Sequence, residues 1–314
     1  MMMRLHTNQK GFTFLELIFV IIILGIVGSI GSSIIVQLYE NYITQRAMHR
    51  VSVKTELAVN QIVNRLRYRM PSSVIIRNGA GVMLGPLEER GWGTTNIAPE
   101  IIEWIGYDND SFSAQQRPGW SGYCDTNATS VAGGTNAITT PGSDLGFTNT
   151  VIRNLSGNSR NISNAALLFS VQGQHLDGVP GSQSPACYGY DGNTTCIHQI
   201  SSRTGNTILN TDNNITTGVN ISTHYKLAWS AYAIVPVNIT STNLFDLELR
   251  YNYQPWDGTQ YNNASSSTLI TNVTSFKFSE LGGTVRLKLC ATEPIGDINT
   301  TVNVSVCKEK VVLR

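Results

Sequence analysis

Residues 17–39 contain no charged side chain. The core of that run, residues 17–36, would form about 30 Å of α-helix, the thickness of a bilayer's hydrocarbon interior. A segment this long and apolar must leave water, either in a lipid bilayer or inside a protein core. A cleaved secretory signal is a third reading, but its apolar part is only about 7–15 residues and ends at a small-residue cleavage site. Here the apolar run continues into further helical pattern, so the sequence predicts a membrane-anchored chain. The first proline is Pro71, so nothing interrupts a helix over residues 12–70. Past the apolar run, Ile43, Ala47, Val51, Ala58, Ile62 and Leu66 fall mostly three or four apart and form one stripe. Arg46, Arg50 and Lys54 occupy a different face. The expectation is one helix, with its first half in lipid and its second docked on a globular domain. Gly25, Gly28 and Gly31 interrupt the lipid half; small residues there permit close helix packing or local loosening, and glycine is also simply frequent in such helices.

Beyond Pro71 the texture changes. Residues 108–223 are rich in Gly, Asn, Ser and Thr, with short apolar runs between them, which reads as loop-heavy β structure. The clearest strands come late. Residues 225–235 form a continuous apolar run. Phe245, Leu247, Leu249, Tyr251 and Tyr253 alternate with polar residues, as do Val285, Leu287 and Leu289, and then Val302, Val304 and Val306. Alternation of period two marks strands with one wet face, hence an antiparallel sheet. A long helix followed by strands predicts an α+β fold: residues 1–11 ahead of the helix, a transmembrane and stalk helix over residues 12–70, and a β-rich head over residues 71–314.

The chain is 14% charged, where soluble domains carry about 25%. Its formal net charge is +1, which argues against nucleic acid as the main partner, because phosphate binding needs a basic surplus. The motifs of serine hydrolases, zinc peptidases and phosphate-binding loops are absent from the sequence. His6, His49, His175, His198 and His224 are scattered, and no partners for a catalytic set are evident. Asp108-Asn109-Asp110 is an oxygen-rich triplet of the kind that can bind calcium, although it lacks a spaced glutamate and fits a solvated turn better. The expectation is a non-enzymatic chain without cofactor or metal.

The lipid boundary holds the densest information. It reads Lys10-Gly11-Phe12-Thr13-Phe14-Leu15-Glu16-Leu17, after a short leader carrying Arg4 and His6. A carboxylate at the edge of an apolar run needs a reason, since burying one at a bilayer centre costs about 2.5–3.5 kcal/mol on insertion scales. Cleavage between Gly11 and Phe12 would create an α-amine that Glu16 of a neighbouring copy could neutralise; the alternative is a Glu16 that snorkels into water. These residues resemble the type IV pilin family and the pseudopilins of type II secretion. The resemblance covers residues 4–40. It implies that a prepilin peptidase cuts after Gly11, that Phe12 is then N-methylated, and that Glu16 registers subunits in a filament. It further implies other pilins or pseudopilins and the lipid bilayer as partners. The implied location is the bacterial inner membrane, with the head in the periplasm and later in a filament.

A weaker resemblance lies near the other end. Phe276-Lys277-Phe278, Gly282-Gly283 and the closing Cys307-Lys308-Glu309-Lys310-Val311-Val312 are similar to large minor pilins of the PilW or pseudopilin-J kind. A length of 314 residues also favours a minor over a major subunit, and the presence of Glu16 argues against the pseudopilus tip, whose subunit lacks that glutamate in the family. One feature disagrees. Arg4 and Lys10 precede the apolar run, while Arg46, Arg50 and Lys54 follow it, so charge counting alone would leave the head in the cytoplasm. The peptidase's position and the cysteines outweigh that count. The alternative function is a filament-borne adhesin, or a substrate- or DNA-binding module, with Trp92, Trp120, Trp256 and Tyr261 in glycine-rich loops as its motive; core or loop-pinning roles suit these residues better.

Five cysteines with two bridges allow 15 arrangements, so the sequence does not decide among them. The expected pairs are Cys187–Cys196, closing a loop with turn residues Gly189, Gly192 and Asn193, and Cys290–Cys307, tying two late strands. Cys124 is then left over, free or bridged to another subunit. Finally, the chain has 12 Asn-x-Ser/Thr sequons, four with an aspartate two residues earlier: Asn127, Asn193, Asn214 and Asn299. With 21 acids in 314 residues, chance predicts about 0.8 such cases among short sequons. The longer pattern resembles what certain bacterial oligosaccharyltransferases accept; compositional coincidence is the rival reading.

Overall fold

The computed structural model describes residues 11, 13–87, 99–113, 117–128, 137–169, 185–212, 222–240, 244–295 and 302–313. Helix α1 (Phe14–Leu66) runs unbroken through the apolar segment and the amphipathic one. Two shorter helices follow, α2 (Asn109–Ser113) and α3 (Leu145–Leu155). The strands are β1 (Ile75–Arg77), β2 (Met83–Pro86), β3 (Ile101–Tyr107), β4 (Ala137–Thr139), β5 (Ala166–Phe169), β6 (His198–Thr204), β7 (Ile208–Thr211), β8 (Tyr225–Val237), β9 (Phe245–Tyr253), β10 (Ser265–Leu281), β11 (Thr284–Ile295) and β12 (Val302–Val312). Among the described residues they form one sheet in the order β12-β11-β10-β9-β8-β5-β6-β7-β4, with β3 also on β8, β1 on β3 and β2 on β1. All pairings among β1–β11 are antiparallel. The chain is therefore α+β, a long apolar helix followed by a large, mainly antiparallel β head.

Two compact units divide the chain. One comprises residues 1–50 and 293–304; the other comprises residues 51–292 and 305–314. In the first, the large side chains of α1 from Phe14 to Tyr42 lie open, Phe14 at 80% exposure and Leu24 at 70%. The second unit holds the main core. There the predicted stripe turns inward: Val51, Ala58, Ile62 and Leu66 are buried, joined by Val59. The helix ends at Leu66, four residues short of the expected limit, because Arg69 closes it. The Arg69 guanidinium donates to the Leu66 carbonyl (3.0 Å) and, through its other nitrogen, to the Gly283 carbonyl (2.8 Å). A cation on the last-turn carbonyls suits the negative end of the helix dipole. It also fastens the β10–β11 turn, where Gly282 and Gly283 both take positive φ.

Strand β8 organises the sheet. One edge pairs with β9; the other is shared, with β3 alongside residues 228–234 and β5 alongside residues 225–228. Both faces of this region are covered. On β5, Leu167 and Phe169 enter a core with Trp120, Leu145, Ile152 and Leu227, whereas Ala166 and Leu168 enter another with Met70, Tyr188, Tyr190, Tyr253 and Trp256. Burial on both faces removes the alternation that would have revealed a strand. Helix α3 is the largest departure from the expected loop-heavy texture. Asp144 caps it by accepting from the Phe147 N–H (3.2 Å), and its buried side is Leu145, Thr148 and Ile152. A buried ion pair joins three strands: Arg77 Nε meets Glu103 Oε2 at 2.6 Å, and the Tyr253 hydroxyl donates to Glu103 Oε1 at 2.9 Å. Burial pushes the Glu103 carboxyl up against the pull of Arg77.

Two disulfides are present, Cys187–Cys196 and Cys290–Cys307. The first closes a loop whose first half, residues 187–190, is core: Tyr188 hydrogen-bonds Ser72, and the Tyr190 hydroxyl donates to the Ser73 carbonyl (2.9 Å). Gly189 in that loop has φ +87°, and a side chain there would meet the Pro255 carbonyl. Cys124 takes part in neither bridge and is fully buried, so its sulfur is not presented to a second chain. The Cys290–Cys307 bridge joins β11 to β12, which Lys310 also ties to Glu56 of α1 at 2.7 Å. Replacing Cys290 and Cys307 together by Ser is expected to lower unfolding stability by about 2–4 kcal/mol, since the loop they close no longer restricts the unfolded chain; denaturant titration of the oxidised protein checks this.

Candidate processing and assembly segment

The start of α1 is built from Thr13 and Glu16. The Thr13 hydroxyl accepts from the Glu16 backbone N–H (3.4 Å), and Glu16 Oε2 accepts from the Thr13 backbone N–H (3.4 Å). The two side chains also face each other at 3.5 Å, and the Leu17 N–H closes the first helical turn onto the Thr13 carbonyl (3.2 Å). This is the reciprocal capping box, with Thr at the N-cap and Glu three residues on, which satisfies two of the N–H groups a helix start leaves open. Gly11 and Glu16 are exposed. Phe12 lies outside the described residues.

The geometry adds a role for Glu16 that the lipid argument missed, although the Thr-x-x-Glu spacing was visible. An α-amine on Phe12 would stand just before the N-cap, at the positive end of the helix dipole, where a cation is disfavoured. The nearest anion along the helix is Glu16. The same carboxylate can therefore serve the cap and offset a new terminal charge, in its own chain or in a neighbour's.

Residues 6–32 match the family model for the prokaryotic N-terminal methylation motif. The match contains Gly11, Phe12, Thr13 and Glu16, and it supports a type IV pilin-like or pseudopilin subunit. No curated protein and no solved structure matches the chain. The matched segment includes the first part of α1, the one described helix long and apolar enough to cross a bilayer, which is consistent with a membrane-anchored pilin.

The head places its other candidate residues less promisingly. Trp120 and Trp256 are buried, contrary to an exposed binding surface: the Trp120 indole donates to the Asp108 carbonyl (2.8 Å) and the Trp256 indole to the Asn164 carbonyl (3.1 Å). Indoles of this kind pin loops to a core. Tyr261 is half-buried, with its ring 5.5 Å from the Arg77 guanidinium. Trp92, His6 and His175 lie outside the described residues. His198 is buried on β6 against the edge of Phe169, and burial pushes its imidazole below the ordinary value. His49 and His224 are exposed. No group of three or more His, Cys, Asp or Glu residues that could hold a metal occurs among the described residues.

Asp108 is not an open loop ligand. It is buried and caps α2, with one carboxylate oxygen accepting from the Ser111 N–H (3.1 Å) and the other from the Ser111 hydroxyl. Burial raises its pKa to about 6, partly opposed by those hydrogen bonds. A carboxyl raised in the folded state binds more protons folded than unfolded, so its contribution to stability grows as pH falls from about 6 towards 3.8. Asp108→Asn keeps an acceptor for Ser111 and removes the buried charge. It is expected to gain on the order of 2 kcal/mol at pH 7 relative to wild type, with the difference shrinking as pH falls from about 6 to 3.8 and absent below that, as read by chemical denaturation across pH.

At the helix start, Glu16→Gln and Glu16→Ala separate the cap from the charge. Glutamine completes a capping box as glutamate does, so Glu16→Gln should keep the first turn protected in amide exchange, while Glu16→Ala should fray it by about 1 kcal/mol. A role resting on charge predicts that both variants enter the membrane yet assemble poorly. Normal assembly of Glu16→Gln, with impaired Glu16→Ala, would assign Glu16 to the cap alone.

Proposed function

We propose that this chain is a minor pilin or pseudopilin, a structural subunit of a type IV pilus or of a type II secretion pseudopilus. The observation that carries the reading is the methylation motif laid directly on an uninterrupted apolar helix whose first turn is closed by Thr13 and Glu16. In this reading residues 1–11 are a leader removed by a prepilin peptidase, and Phe12 becomes the methylated terminus. Residues 12–70 are anchor and stalk, and residues 71–314 are the extracytoplasmic head. The work is assembly, without catalysis.

The two disulfides support a head outside the cytoplasm, because such bridges persist in oxidising compartments. They weigh against the charge count that would keep the head inside. In this reading the inner membrane holds the chain in a single pass, with the head in the periplasm, until partner pilins take its helix into a filament. There the exposed apolar side chains of α1 exchange lipid for neighbouring helices. The large size and the likeness to the PilW or pseudopilin-J kind favour a minor position. The burial of Trp120 and Trp256 takes two of the four aromatics that motivated an adhesive or DNA-binding surface.

Processing is directly measurable. Cleavage after Gly11 removes two of the 22 basic residues and none of the 21 acidic ones, turning the formal charge from +1 to −1. Amino-terminal sequencing of the membrane-extracted protein is expected to begin at Phe12, with a methylated first residue. A chain that still starts at Met1, or at any other residue, would overturn the reading.

A further inference from the structure

Four of the 12 sequons carry an aspartate two residues before the asparagine, where chance supplies about 0.8. The structure reveals what two of these aspartates do locally. Asp191 Oδ1 accepts from the Asn193 N–H (3.1 Å), and Asp125 Oδ1 accepts from the Asn127 N–H (3.0 Å). Such side-chain turns explain a short polar residue at that position. They do not explain a charged one, because asparagine makes the same turn and serine a weaker version of it. Asp191 is exposed and forms no ion pair among the described residues, so the fold makes no evident use of its charge.

We propose that Asn193 is a site of N-linked glycosylation, recognised through Asp191 and Thr195. The inference rests on the export proposed above and goes beyond it. Asn193 is exposed; its side-chain oxygen accepts from the Thr195 N–H (3.1 Å), and its Nδ2 has no partner among the described residues. A sugar on Nδ2 stands in water and displaces none of the core side chains of this loop, since Tyr188 and Tyr190 turn the other way, into the core. The donor class is an oligosaccharide on a membrane polyprenyl diphosphate. Asn193 Nδ2 bonds to the anomeric carbon as the carbon–oxygen bond to the diphosphate breaks. The diphosphate leaves with that electron pair, and Nδ2 gives up one proton. Nothing is oxidised or reduced.

The folded loop sets the order of events. The Asn193 carbonyl accepts from the Gly189 N–H (2.7 Å), the Gly192 N–H donates to the Gly189 carbonyl (3.2 Å), and the Cys187–Cys196 bridge closes the loop around them. A transferase that grips residues 191–195 in extended form cannot do so while these bonds hold. Glycosylation of Asn193 therefore precedes closure of the bridge and competes with it. Asn127 has the same aspartate and the same hydrogen bond, and no disulfide closes its turn, so it serves as the internal reference.

The test is glycopeptide mass spectrometry of the full chain expressed in its native host, with the amino-terminal peptide read in the same digest. The expected result is a constant glycan mass on the Asn193 peptide. Asp191→Asn, which retains the turn, should cut occupancy at least tenfold, with stability held near wild type by denaturant titration. Cys187→Ser with Cys196→Ser should raise occupancy at Asn193 relative to Asn127. A bare Asn193 in the wild type, unchanged occupancy in Asp191→Asn, or no rise in the cysteine variant overturns the proposal. A Phe12 terminus beside a bare Asn193 sinks the glycan alone; a terminus other than Phe12 sinks the export reading as well.

Discussion

The apolar half of α1 is a surface that its own chain does not cover. From Phe14 to Tyr42 the large side chains stay open, far beyond the few hundred Å² of contiguous apolar surface that a soluble monomer tolerates. A bilayer satisfies that surface, and so does a bundle of similar helices, because each replaces water with hydrocarbon. Every backbone N–H and C=O within the helix interior is paired along the helix, which is the condition for leaving water at all. The helix start is the exposed point of this arrangement, and Thr13 and Glu16 close it. Their capping box closes the first turn with groups of the helix start itself.

The other end of α1 is governed by a different constraint. From Val51 onward its buried residues pack as part of the head's core, and Arg69 satisfies the last turn while reaching the β10–β11 turn. The element that resembles a membrane anchor is thus continuous with an element that a globular core requires. Neither half needs a sequence break, because a single helix geometry serves both solvents.

The head is held by a sheet with two covered faces around β5 and β8, not by a single hydrophobic side. Cores on both faces of this region take up aromatic residues from glycine-rich stretches, which become pins, as Trp120 and Trp256 do. The short disulfide loop behaves in the same way: Tyr188 and Tyr190 turn it into core, so the bridge stabilises packing as well as a turn. Asp108 illustrates the electrostatic side of this burial. A carboxylate placed for a short helix cap is taken out of water, and its proton affinity rises accordingly.

The sequence alone determined the long apolar helix, the methylation motif, the late strands β8, β9, β11 and β12, and the α+β class. These are local properties: length without charge, residue spacing and alternation all follow from the geometry of one element. Helix α3, the short strands β1–β7 and the burial of Trp120 and Trp256 were decided only by tertiary structure. Their side chains are shared between faces and partners far apart in the chain. On β5, four successive buried residues divide between two cores, and no periodicity marks them as a strand. Asp108 carried the same ambiguity, since a triplet of oxygen-bearing residues reads alike as a ligand loop or a helix cap until Ser111 and the surrounding core are in place.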